Sequence, residues 1–157
     1  MQLMPIEDTG ATLAPTGGAT EVVAQVIEAT LSLYARRGYK QPWTGYLAVQ
    51  GDRIVGTCGF AGPPIEGEVE MAYFTFPGFE GRGVATQMAQ ELLRICRPAA
   101  REAGVQFFAH TLPAEGPSTS ILRKLGFSNA GLVQHAEDGA VWKWVEYARG
   151  AVQAHFS

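Results

Sequence analysis

The apolar period of the chain switches from two to about 3.6 across one short glycine turn, which limits the possible folds more than any other feature. From Glu68 to Phe76 the residues alternate, with Val69, Met71, Tyr73 and Thr75 on one face and Glu68, Glu70, Ala72, Phe74 and Phe76 on the other. Pro77-Gly78 ends that strand, Phe79-Glu80-Gly81-Arg82-Gly83 turns the chain, and a helix is expected from near Val84. Its apolar residues form two adjacent stripes, Val84, Met88, Leu92 and Ile95 beside Ala85, Ala89, Leu93 and Cys96, a face wide enough to lie on a sheet. Gly81 and Gly83 let the backbone approach a ligand without a Cβ in the way. The unpaired N–H groups at the turn and the positive end of the helix dipole favour a phosphate or pyrophosphate. Spacing alone favours a purely structural tight turn, because the Lys-Ser/Thr of a P-loop and the third glycine of a dinucleotide fingerprint are both missing.

The other segments extend this unit into an α/β layer fold. Met1 to Ile6 reads as a strand, followed by a Gly/Pro/Thr-rich loop from Thr9 to Gly18. Val22, Val23, Val26, Ile27, Thr30, Leu31 and Tyr34 fall at helical spacing between Glu21 and Arg36, with Thr20 as the expected cap and Gly38 just past the end. Gly45–Val49 and Arg53–Phe60 read as a hairpin turned at Gln50-Gly51-Asp52. Pro98 is expected to kink or end the helix that starts near Val84. Val105–Thr111 reads as a buried strand and Pro117–Leu125 as a short helix stopped by Gly126. Ala130–Glu137 with Ala140–Tyr147 reads as a closing hairpin turned at Asp138-Gly139. The order is βαβββαβαββ, without internal repeats. The 157 residues, 46% of them hydrophobic, are expected to form one domain with its core over about 1–149 and a tail over 150–157.

Charge narrows the partners. A formal net charge of -3 and a pI near 5.6 argue against a nucleic-acid surface, and the only basic clusters are Arg36-Arg37 and Arg123-Lys124. No apolar run approaches membrane-spanning length, and the N-terminus lacks the basic and apolar regions of a signal peptide, so a cytoplasmic location is expected. Cys58 and Cys96 lie in apolar surroundings with no metal-ligand spacing and are expected to be buried thiols. No metal is expected.

Glu80 to Ala85 (EGRGVA), followed by Thr86, resembles the Q/R-x-x-G-x-G/A motif of GNAT acetyltransferases. The form is that of the branch similar to ribosomal-protein N-acetyltransferases. Val69-Glu70-Met71-Ala72-Tyr73 is similar to that branch's preceding strand, and Ser118–Phe127 (STSILRKLGF) resembles its S-x-x-x-L-x-K-L-G-F helix. The similarity spans nearly the whole chain. It implies a GNAT fold, a mixed and mostly antiparallel sheet of six to seven strands flanked by helices, with a splayed central strand pair. Three positions depart from the pattern: Glu80 where Gln or Arg is usual, Glu115 where the branch often carries Asn, and Leu122 where many GNAT enzymes carry a tyrosine acid.

The resemblance implies an acetyl-CoA-dependent N-acyltransferase that passes acetyl to a primary amine, on a peptide N-terminus or a small molecule, by direct attack through a tetrahedral intermediate. Pantetheine would lie in the gap between the Glu68–Phe76 and Val105–Thr111 strands, along the backbone of Phe74, Thr75 and Phe76. The pyrophosphate would rest on Gly81, Arg82, Gly83, Val84, Ala85 and Thr86, and a backbone N–H of the first strand would stabilise the oxyanion. Attack by an amine needs a base, because an ammonium has no lone pair. Glu70 is the first candidate, Glu68 a weaker one and His110 another, against the alternatives of a solvated strand glutamate and a structural histidine. Ser118 is a candidate partner of the leaving thiolate or the pantetheine, or else a helix-start residue satisfying backbone donors. His135 and His155 show no companion for catalysis or metal binding. Tyr34, Tyr39, Trp43 and Tyr46 read either as an acceptor wall or as core, and Trp142 with Trp144 as packing or a homodimer surface. The competing classes are a non-catalytic acyl-CoA-binding protein and a structural α/β interaction domain.

Overall fold

A computed structural model describes residues 1–15 and 21–146. The expectations for Thr20, Tyr147, His155, the end of the Thr9–Gly18 loop and the 150–157 tail lie outside the described residues. The elements run β1 (Gln2–Pro5), α1 (Glu21–Arg37), β2 (Gly45–Gln50), β3 (Arg53–Phe60), β4 (Glu68–Thr75), α2 (Val84–Ala103), β5 (Gln106–Thr111), α3 (Pro117–Lys124), β6 (Phe127–His135) and β7 (Gly139–Glu146). The expected order and the GNAT-type α/β fold are both found.

One seven-stranded sheet has the order β1-β2-β3-β4-β5-β7-β6. Every pairing is antiparallel except β4 with β5. Side-chain alternation along β2 divides the core between the two faces of the sheet. Tyr46 and Ala48 join Cys58, Phe60, Met71, Phe107 and Trp144 beneath α2, which contributes Val84, Met88, Leu92, Leu93 and Cys96. Leu47 and Val49 join Ile6, Phe76 and Val23 of α1 on the opposite face.

β4 and β5 pair over three positions only, Glu68 with Gln106, Val69 with Phe107 and Glu70 with Phe108. Beyond them β4 follows β3 as far as Thr75 opposite Gly56, and β5 follows β7 as far as Thr111 opposite Trp142. The central pair is therefore splayed. Each half is held from its outer side. At Gly56 a Cβ would meet Phe74 O at 2.7 Å and Met88 Sδ at 2.8 Å, and at Gly59 it would meet Thr44 O and, at 2.8 Å, Gly45 Cα. On the other side Trp144 Nε1 donates to Thr111 Oγ1 at 2.9 Å.

The start of β6 is revised, and three open alternatives are narrowed. Pro98 does not end α2, which continues to Ala103 and closes at Gly104 in the left-handed conformation (φ 67). Burial of Cys96 and Ala100 on either side of the proline outweighs its lost backbone donor. β6 begins at Phe127 rather than Ala130, because Phe127 is a core residue paired with Glu146 and a bulge between Asn129 and Gly131 absorbs the change of register. No acceptor wall forms from Tyr34, Trp43 and Tyr46, which are buried. The Tyr34 hydroxyl donates to Ile6 O and accepts from Gly45 N–H, the Tyr46 hydroxyl donates to Pro42 O, and Trp43 packs on Phe60. Trp144 is fully buried and the half-buried Trp142 packs beside it, the packing alternative for this pair. Cys58 and Cys96 are buried free thiols, as expected.

Because the atoms facing Gly59 are backbone and cannot turn aside, Gly59→Ala is expected to lower stability by about 2 kcal/mol, read as a reduced denaturant midpoint with an unchanged m value.

Candidate active site

The splay leaves one edge of β4 without a strand partner, and the hydrogen-bond phase identifies that edge. Ala61 N–H donates to Glu70 O and Phe76 N–H donates to Val55 O, so the even-numbered residues of β4 direct their backbone groups towards β3. Gly67 O accepts from Gln106 N–H of β5, which sets the odd-numbered residues towards the gap. The sequence-based choice of Phe74 and Phe76 as backbone partners of a ligand is thereby corrected. The backbone groups of Tyr73 and Thr75 face the gap, whereas the Phe76 side chain is core and the Phe74 ring is 52% exposed at its lip.

At the end of β4 the chain enters the glycine turn. Gly81 (φ 75) and Gly83 (φ 75, ψ 13) are both left-handed, and an added Cβ on either would meet nothing within 4 Å. Gly83 starts α2 without a side-chain cap, and the first turn of the helix holds no acidic residue. Among the described residues the N–H groups of Gly81, Arg82 and Gly83 donate to no protein acceptor. The N–H groups of Val84, Ala85 and Thr86 lie at the helix start, where an α-helix supplies no partner. This is an anion-accepting arrangement at the positive end of a 20-residue helix. Glu80 turns its carboxylate back onto Gly78 N–H at 3.3 Å, and Arg82 lies over the Phe79 ring.

On the sheet face opposite α2, where Arg37 at the end of α1 lines the cavity beside Glu70, the charged residues of β4, β5 and β7 fall into two groups. Glu68 is bonded to Lys143 Nζ at 3.0 and 3.1 Å, with the ammonium over the Phe108 ring. Glu70 Oε2 lies 3.1 Å from His110 Nδ1, the histidine side chain being 17% and the glutamate 25% exposed. Glu70 and His110, two of the sequence candidates for a base, therefore form one pair. With the carboxylate ionised, Nδ1 carries the proton and donates, which leaves the Nε2 lone pair of His110 free.

His135, set aside in the sequence, packs edge-on to His110 with ring centroids 5.3 Å apart. Its separation of 25 positions from His110 and 65 from Glu70 hid it, and only the β5-β7-β6 order brings it in. Donor atoms of Glu70, His110 and His135 all lie within 4.8 Å of one another, the composition of a three-ligand metal set. Their hydrogen bonds favour proton chemistry instead. Glu70 and His110 are already bonded to each other. His135 Nδ1 accepts from the N–H groups of Glu137 and Asp138, both at 3.2 Å, whereas a metal-bound imidazole donates from its second nitrogen.

Ser118 is exposed at the start of α3. Its hydroxyl makes no hydrogen bond among the described residues, while the neighbouring Thr119 hydroxyl accepts from Gly116 N–H at 3.0 Å and so satisfies the helix start. Glu115 is held by Arg123 through contacts of 2.5 and 2.6 Å. That hydrogen bonding, with a further bond from Thr119, pushes its carboxyl down to about 2. Leu122 is buried in the core. The Tyr73 hydroxyl, unremarked in the sequence, reaches Ser118 O at 3.5 Å. A cavity of about 220 Å³ adjoins Glu70 and is lined by Arg37, Pro63, Glu66, Glu68 and Phe108 among others. A larger groove, about 1040 Å³, runs past Arg97, Arg101, Lys124 and Glu146 and touches neither the glycine turn nor the Glu70–His110 pair.

Comparison with known proteins agrees with the fold. Among solved structures, RimL, a ribosomal L7/L12 α-N-protein acetyltransferase, in its second apo crystal form superposes with a TM-score of 0.64 at 18% identity, over 91% of this chain and 90% of that one. An acetyltransferase of Salmonella typhimurium that modifies the N-terminal serine of ribosomal protein L7/L12 gives 0.59 at 19% identity, over 82% and 74%. The microcin C7 self-immunity acetyltransferase MccE, in complex with acetyl-CoA and AMP, gives 0.62 at 15% identity, over 81% and 71%. No curated protein matches significantly by sequence. The family model for the acetyltransferase (GNAT) domain matches residues 14–128, most of the chain, and the protein therefore belongs to the GNAT acetyltransferase family.

Proposed function

We propose that this acetyltransferase moves acetyl from acetyl-CoA to a primary amine, on a peptide N-terminus or a small molecule, by direct attack. The observation that carries the reading is the continuity of two unpaired backbone stretches. Tyr73 and Thr75 face the β4–β5 gap, and the same chain then runs into the free N–H groups from Gly81 to Thr86. A ligand with an amide-bearing arm and a pyrophosphate fits that path, the arm pairing as a strand would and the pyrophosphate resting on the helix start. The acetyl-CoA in the complex of the related fold MccE is of this kind.

In the proposed reaction the N–H of Tyr73 polarises the thioester carbonyl and holds the oxyanion. The amine approaches from the face that carries Glu70 and His110. His110 Nε2 takes the proton lost by the attacking nitrogen, and Glu70 fixes the tautomer and stabilises the imidazolium that results. Glu68 is tied to Lys143 and serves the charge balance of the face rather than as the base. Collapse of the intermediate breaks the C–S bond and releases CoA.

Because the pair acts as one unit, Glu70→Gln and His110→Ala are each expected to lower amine-dependent thiol release by about 100-fold or more, and the double variant to be little worse than either. CoA affinity should remain unchanged in all three. Losses that multiply in the double variant would show two independent roles and remove the pair from the mechanism. At the other end of the ligand, Gly83→Ala is expected to cost only about 1 kcal/mol of stability, because its Cβ meets open space but requires a left-handed residue. The same methyl group enters the space assigned to the pyrophosphate, so CoA binding measured by calorimetry should weaken at least about tenfold, more than 1.4 kcal/mol.

A further inference from the structure

We propose that the Tyr73 hydroxyl is the hydrogen-bond donor that receives the departing CoA thiolate, an inference that rests on the acetyl-CoA reading above. Alternation along β4 sends Glu70 to one face of the sheet and Tyr73 to the other, on either side of the gap that would hold the thioester. The amine and its proton acceptor then occupy one face, and the leaving sulfur meets a donor on the opposite face. Leu122 of α3 is 1% exposed and has no proton to give. Tyr46, the other phenol beneath α2, is 5% exposed and already donates to Pro42 O at 2.7 Å.

Tyr73 differs from both. It is half-buried, and among the described residues its hydroxyl reaches one acceptor, Ser118 O, at 3.5 Å. That is the long limit of such a bond, so the O–H can turn to a better acceptor at little cost. Ser118 stands at the start of α3, and the contact therefore places the Tyr73 hydroxyl between β4 and α3, on the flank of the gap. Burial pushes the phenol up to about 12, so it stays protonated and is a donor throughout the working range.

The amine lone pair forms the C–N bond, and the nitrogen's proton passes to His110. The oxyanion then re-forms the carbonyl as the C–S pair moves to sulfur. Tyr73 donates a hydrogen bond to the thiolate without losing its own proton, and the thiolate is protonated by water on release.

The thiol of enzyme-bound CoA provides the test without knowledge of the acceptor. Its thiolate absorbance is titrated in the native protein, in Tyr73→Phe and in Ser118→Ala, each against the desulfo-CoA complex to cancel Cys58 and Cys96. A charge-assisted donor should hold the native thiol pKa about one to two units below that in Tyr73→Phe. Ser118→Ala should titrate like the native protein, and 3-fluorotyrosine at position 73, a stronger donor, should lower the thiol pKa further. Equal thiol pKa values in native protein and Tyr73→Phe with CoA bound, or a shift found in Ser118→Ala instead, would overturn the assignment to Tyr73 and leave the acetyl-CoA reading standing. Failure of the native protein to bind CoA would overturn both.

Discussion

Two parallel strands that pair over three positions and then part leave an unsatisfied row of backbone donors and acceptors inside a folded domain. Such groups cost free energy unless they meet water or a ligand, and the rest of this structure is arranged around that opening. β3 holds β4 closely enough that Gly56 and Gly59 have no room for a side chain, and β7 holds β5 through Trp144 and Thr111. Neither strand can close the gap by moving alone, because each is committed to the half-sheet on its outer side. α2 packs chiefly on the β3–β4 half, with Met88 against Gly56 and Leu92 and Cys96 in the common core, and its Arg97 is bonded to Glu146 of β7.

Period-two alternation along β4 turns this opening into a site with two chemically different faces. Glu70 and His110 meet on the face opposite α2 and keep partial access to solvent while bonded to each other at 3.1 Å. Tyr73 lies on the α2 face in apolar surroundings, where its phenol keeps its proton. Lys143 neutralises Glu68 beside them, which leaves the Glu70–His110 pair as the base proposed for that face. A single strand can thus supply an oxyanion donor from its backbone and side chains of opposite function from its two faces.

Local pattern made most of the fold legible before any coordinates. The switch of period at the glycine turn, the stripes of α2 and the turn residues between strands are short-range signals, and element boundaries followed them to within a few residues. What local pattern left open or misplaced depended on tertiary context. Pro98 lies within α2 because core burial on both sides outweighs one lost donor, and Phe127 opens β6 because it pairs with Glu146 across a bulge. In the site, Glu70 and His110 were each legible as residue types on strands. Their contact follows from the three-position β4–β5 pairing, which no spacing reveals. His135 and Tyr73 were passed over because β6 joins the site only through the strand order, and because a tyrosine alternating with core residues reads as core. The assignment of backbone groups to Phe74 and Phe76 failed for another reason: side-chain alternation is visible in a sequence, but the phase of the hydrogen bonds is set by the partner strands.

The central claim is that the backbone of Tyr73 and Thr75 and the N–H groups from Gly81 to Thr86 form one continuous binding path for CoA. Amide hydrogen exchange with and without CoA tests it directly, since exchange at each amide reports whether its N–H has gained a partner. The account predicts new protection at Tyr73, Thr75 and the amides from Gly81 to Thr86, with the amides of Phe74 and Phe76 protected equally in both states by β3. Protection at Phe74 and Phe76 in place of Tyr73 and Thr75, or confined to the groove beside Arg97 and Lys124, would contradict it.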